Sequence, residues 1–205
     1  MVTRILLAAV VISTTARADP PETYDVALVT GDSAAGIVEM TELFGKVCVD
    51  SFPDDASVAK EAVARGGIAL TQAEVTAILH ADQGVGWRIV GKTTTFYLTV
   101  EAAPWHACAI RGATRDGFED MTVFNALRTK VEGGWTGVTH YPEMSNIQGP
   151  LQSVANVDAW RMPDGKTETL MVFKTRVADP TLAMGHAGVE VRFVRQQVTS
   201  PAGVI

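Results

Sequence analysis

Cysteine, positive charge and long apolar runs are all scarce in this sequence, and each shortage excludes something. Two cysteines in 205 residues are too few for a disulfide-dense mini-scaffold, and they do not sit in a Cys-x-x-Cys pair of the kind that marks a zinc ribbon. Lysine and arginine number 17 against 23 aspartate and glutamate, a net charge of −6. No basic arm is present, so nucleic acid and anionic membrane surfaces, which need clustered cations to displace counterions, are poor partners. No apolar run approaches the roughly 20 residues that a membrane-spanning helix requires. The four histidines, His80, His106, His140 and His186, show no His-x-x-x-His spacing, so no metal ligand set and no cofactor site is expected from spacing alone. What remains is a globular composition, 47% hydrophobic and 20% charged, long enough to bury a core without a metal or a partner.

The first 18 residues, MVTRILLAAVVISTTARA, have the three parts of a secretory signal peptide. Arg4 supplies the positive start, Ile5 to Ile12 the apolar run, and Ala16-Arg17-Ala18 the small-x-small cleavage site. Cleavage is expected before Asp19, leaving residues 19–205 as a single soluble α+β domain with no membrane span. Loss of Arg4 and Arg17 brings the balance to 15 basic against 23 acidic residues, a net −8. The expected location is the periplasm or the extracellular space. In an oxidising compartment two thiols in one small domain are expected to pair, which makes Cys48 to Cys108 a disulfide.

Along the chain, Tyr24 to Thr30 reads as a short edge strand, and Gly31-Asp32-Ser33 as a turn and helix N-cap. Ile37, Thr41, Phe44 and Cys48 recur at helical spacing, with Met40, Leu43 and Val47 widening the stripe, so a helix over 34–49 buries Cys48. Pro53-Asp54-Asp55 opens a second helix that Gly66-Gly67 ends. Thr71-Gln72-Ala73-Glu74 is a capping box for a third. From Trp87 the period becomes two: Phe96, Leu98 and Val100, then His106, Cys108 and Ile110, form a hairpin turned at Ala102-Ala103-Pro104. A fourth helix runs from near Glu119 to Val131, with Phe118, Met121, Phe124, Leu127 and Val131 facing inward. Strands follow at 154–162, 167–177 and 189–197. This order predicts an α+β fold: one antiparallel sheet of about five strands with three to four helices on one face, and a β-β-α-β-β-β core after the N-terminal helices. That order is similar to the order in profilin-type and PAS-type sensor domains, an analogy that transfers no ligand.

Phe44-Gly-Lys-Val-Cys48, with Trp87 and Cys108 downstream, resembles a group of small exported bacterial proteins of unknown function with two cysteines. The likeness spans residues 40 to 130 and implies no activity. Gly86-Trp87-Arg88-Ile89-Val90-Gly91-Lys92-Thr93 matches the phosphate-loop pattern, but a strand-forming run follows it where a helix is needed, so a strand, a Gly-Lys turn and another strand are expected. Gly31-Asp32-Ser33 resembles the first block of the GDS-type (SGNH) esterases, which implies Ser33 as nucleophile. His186 or His140 would then be the base and Asp158 or Asp179 the orienting acid. The family's other two blocks do not occur. His106 and Cys108 share a strand face, yet an oxidised cysteine cannot ligate a metal.

Residues 133–152 have no convincing period but contain Trp135, His140, Tyr141, Glu143 and Met144. A loop this rich in aromatic and polar groups is the expected ligand-binding surface, with Trp135, His140, Tyr141 and Glu143 as its residues; its alternative is a lid over the sheet edge. The function expected from exclusion is a non-enzymatic exported envelope protein that binds a small ligand or another envelope component. The enzymatic alternative is the Ser33 esterase.

Overall fold

The computed structural model describes residues 33–80, 82–114, 121–148, 151–177 and 189–198. The signal sequence, the Tyr24–Thr30 strand, Phe118 and Glu119 at the expected start of the fourth helix, and Asp179 and His186 lie outside the described residues, as does the side chain of Ser33.

Helix α1, Ser33–Phe44, carries the expected stripe inward and continues as a π-helical turn, Gly45–Val49, closed by a bond from the Asp50 amide to the Gly45 carbonyl. Ile37, Met40, Phe44, Val47 and Cys48 are all buried. Helix α2, Asp55–Ala64, starts at Asp54, whose carboxylate accepts from the Ala56 amide at 3.1 Å and the Ser57 hydroxyl at 2.7 Å. Helix α3, Gln72–Leu79, has both halves of the capping box between Thr71 and Glu74 in place. Helix α4 spans Thr122–Glu132 and ends at Gly133.

Nine strands among the described residues form one antiparallel sheet. They are β1 (Ile68–Ala69), β2 (Gly84–Val90), β3 (Thr95–Glu101), β4 (Ala107–Thr114), β5 (Thr139–His140), β6 (Met144–Gln148), β7 (Leu151–Arg161), β8 (Thr167–Val177) and β9 (Val189–Val198). The order is β1-β2-β3-β4-β9-β8-β7-β5, with β6 also paired to β7. The fold is α+β as expected, but with nine strands in place of about five. β1 and β5 are two residues long, too short to register as a period, and β6 lies inside the segment read as irregular. The turn between β7 and β8 falls at Pro163-Asp164-Gly165, where Gly165 takes φ +86°, a conformation that a side chain would disfavour.

The register carries one row of side chains across the helix-bearing face: Val100 beside Cys108, then Arg195, Leu170, Asp158 and His140. The neighbouring row is Trp87, Leu98, Ile110, Phe193 and Val172. Phe44 and Phe124 meet Phe193 there, with ring centroids 5.6 and 4.0 Å away. Cys48 and Cys108 form a disulfide that ties the π-helical turn to β4, with Cα atoms 5.4 Å apart. Arg195 anchors the same corner. It bonds Glu168, and its Nη1 donates to the carbonyls of Val49 at 2.6 Å and Phe52 at 3.2 Å. Among the described residues no helix is long and apolar enough to cross a membrane.

Candidate functional site

The end of that row, at the β5 edge of the sheet, is where ionisable groups converge. Phe124, Arg128 and Glu132 are spaced four apart on α4 and therefore lie along one face of it. Phe124 enters the core, and the same face brings Arg128 and Glu132 down onto Asp158 of β7. His140 and Asp158 are direct cross-strand partners between β5 and β7. The His140 Nδ1 donates to Asp158 Oδ1 at 2.7 Å. Arg128 Nε stands 3.6 Å from both Glu132 Oε1 and Asp158 Oδ2, beyond hydrogen-bond reach of either. One ligand atom each from Glu132, His140 and Asp158 falls within 4.8 Å of the others.

Accessibility divides the cluster into a floor and a rim. The Asp158 side chain is 7% exposed and the His140 side chain 61%, so the carboxylate is sealed and the imidazole reaches solvent. Burial pushes the Glu132 carboxyl above its ordinary range. Asp158 pushes it the same way, through a shared hydrogen bond and its negative charge, while Arg128 and His140 pull it back without cancelling the rise. Glu132 Oε1 and Arg128 Nε are buried with no hydrogen-bond partner.

Around this cluster the four residues expected to bind ligand take different positions. His140 belongs to it. Glu143 lies beside it, within 3.4 Å of the Asn156 amide nitrogen, two residues before Asp158 on the same strand face. Tyr141 is half exposed on the edge, held by a bond from its amide to the Val157 carbonyl. Trp135 instead packs on the main core and stacks on Trp160 with centroids 5.9 Å apart. The segment 133–152 thus covers apolar surface at Trp135 and presents polar and aromatic groups from His140 onward.

Glu132, Arg128 and Asp158 were not assigned to this surface from sequence. Spacings of eight and eighteen residues between Glu132, His140 and Asp158 match no motif, and charged residues at the end of a helix read as a solvated face. The sequence offers Asp158 only as an orienting acid for a histidine, a relation that it does have with His140.

The remaining motifs have structural partners. Gly86–Thr93 runs from β2 into a turn before β3, and the amides of Lys92 and Thr93 donate to the Glu39 carboxylate at 2.7 and 3.0 Å. The donors that a phosphate loop would aim at a nucleotide are therefore spent on α1. Ser33 opens α1. His106 has φ +23°, packs its ring at a tilt against Phe52 with centroids 4.6 Å apart, and bonds Asp55 at 2.9 Å. A cleft lined by Asp55, Gln72, Gln83 and Val100 has Asp55 as its ionisable side chain among the described residues, and that carboxylate already faces His106.

The chain matches no protein-family model, no curated protein and no solved structure.

Proposed function

We propose that this chain is an exported protein of the bacterial envelope that acts by binding, not by catalysis, at the corner formed by α4, β5 and β7. The observation that carries the reading is the cluster itself: a carboxylate pair, buried Asp158 and partly buried Glu132, capped by the solvent-facing imidazole of His140 and flanked by the exposed Tyr141 and by Glu143. Two carboxylates stand 3.6 Å from one guanidinium there and Glu143 adds a third acid on the same sheet edge, so the corner favours a cationic small ligand or a cationic group on another envelope component. Export rests on residues 1–18 and agrees with the Cys48–Cys108 disulfide, which needs an oxidising compartment to persist.

Two measurements test this reading. Fractionation of cells expressing the full sequence should recover an oxidised chain beginning at Asp19 outside the cytoplasm; an intact, reduced chain in the cytoplasm overturns export. Thermal-shift titration with amino acids, polyamines and divalent metal ions should find at least one that stabilises the wild type and not His140→Ala, since a ligand raises stability only through the state that binds it. Equal shifts in both proteins, or none in the wild type, overturn the binding site.

A second reading, ester hydrolysis with Ser33 as nucleophile, draws on one observation. His140 with Asp158 on its Nδ1 has the geometry of a base and its orienting acid. Assay of p-nitrophenyl acetate hydrolysis separates the two readings: activity lost in both Ser33→Ala and His140→Ala supports the esterase, and no wild-type activity supports binding.

A further inference from the structure

We propose that Glu132, His140 and Asp158 hold a single divalent transition-metal ion of borderline softness, with Zn2+ as the type. This rests on the binding reading above and names the ligand of that same corner. One imidazole nitrogen and two carboxylate oxygens from three different elements converge to within 4.8 Å. That donor set suits zinc and its neighbours better than calcium or magnesium, which take oxygen ligands. Nδ1 of His140 and Oδ1 of Asp158 are 2.7 Å apart. Around a tetrahedral ion with donors about 2.1 Å away that distance opens to about 3.4 Å, the metal taking the place of the shared proton.

The second observation is the state of the polar atoms. A salt-bridge network built only to stabilise the fold would close its hydrogen bonds. Here Arg128 Nε stops 3.6 Å from both carboxylates, and Nε and Glu132 Oε1 are buried without a partner. Each such group carries a desolvation cost that a structure rarely leaves unmet without a reason. A cation between the carboxylates would satisfy Glu132. The Arg128 side chain is one-third exposed and has room to turn outward as the ion enters. Its guanidinium is then a resident positive charge that competes with the metal. Three protein ligands leave further coordination positions open, and they face the solvent on the His140 side.

The test is calorimetric titration of ZnCl2 into the disulfide-bonded chain beginning at Asp19, after chelator treatment, with Co2+ absorption as a second readout. The wild type should bind one ion per chain, without competition from Mg2+ or Ca2+. His140→Ala, a change at an exposed side chain that leaves the core intact, should weaken binding at least 100-fold, beyond the 10–100-fold that loss of an outer-shell partner brings. Glu132→Gln should weaken it at least tenfold. Arg128→Gln should tighten it about tenfold, the effect of removing about 1.4 kcal/mol of repulsion. Absence of zinc binding in the wild type overturns the proposal, as does binding that His140→Ala leaves unchanged. If an amino acid or polyamine stabilises the wild type through His140 while zinc does not bind, the corner is a binding site and the metal inference alone falls.

Discussion

Glu39 on α1 and Thr93 in the turn between β2 and β3 are joined twice through one carboxylate, at 3.0 Å from the Thr93 amide and 2.6 Å from its hydroxyl. Partial burial of Glu39 raises its pKa, but these bonds, the Lys92 amide and the Lys92 charge outweigh that and hold it below its ordinary 4.5. A group whose pKa is depressed by folding adds stability above its ordinary pKa and loses it as pH falls through the folded value.

Glu39→Gln is therefore expected to lower stability at neutral pH by about 1–2 kcal/mol, since a carboxamide accepts fewer of these bonds. The gap to the wild type should close in urea unfolding curves taken below pH 4.5. Because the turn amides already have an anion, ATP should produce no thermal shift in either protein. An ATP-dependent stabilisation lost in Lys92→Ala would reinstate the phosphate-loop reading.

Arg195 links Glu168, whose side chain is 3% exposed, to the carbonyls of Val49, at the end of the π-helical turn, and of Phe52. Arg195→Met should destabilise by about 3–5 kcal/mol, because it strands a buried carboxylate. The double variant Arg195→Met/Glu168→Leu should recover part of that loss. A double-mutant cycle by chemical unfolding reads the coupling, and strict additivity would show that the pair does not act as one.

Phe193 is fully buried between Phe44 and Phe124. Phe193→Ala should cost about 3–5 kcal/mol through lost burial and the cavity left behind. Val85→Ala, at a half-exposed position on the same sheet, should change stability by no more than about 0.5 kcal/mol. Similar losses at both positions would contradict the assigned core.

The Cys48–Cys108 disulfide closes a loop of 60 residues. Replacing both cysteines with serine should remove about 4 kcal/mol, most of it through the unfolded chain. The urea midpoint of the wild type should fall to that of the double variant when reductant is added, and stay above it without reductant. A reduced wild type as stable as the oxidised one would mean that the bridge contributes little.

Elements with strong local signals were legible in the sequence. The Thr71–Glu74 capping box, the stripe from Ile37 to Cys48 and the alternation of Phe96, Leu98 and Val100 all lie where periodicity and capping chemistry put them. The candidate site was legible in part. Aromatic and polar content pointed to His140, Tyr141 and Glu143, but the same argument included Trp135, whose ring is used in the core. Strands β5 and β6 escaped because a two-residue strand has no period and because the two apolar residues of β6, Met144 and Ile147, are three apart, point to opposite faces and are both exposed, so no alternation marks a buried side.

The sequence by itself determined the helices, the longer strands, the pairing of the thiols and the failure of the phosphate-loop match, because each depends on residues close together or on a chemical constraint that position does not alter. Only the tertiary structure decided that Glu132, His140 and Asp158 meet. The register of β5 on β7 sets His140 against Asp158, and the packing of Phe124 on Phe193 turns the charged end of α4 onto the same spot. Neither contact leaves a trace in residue spacing, since both depend on how distant segments dock.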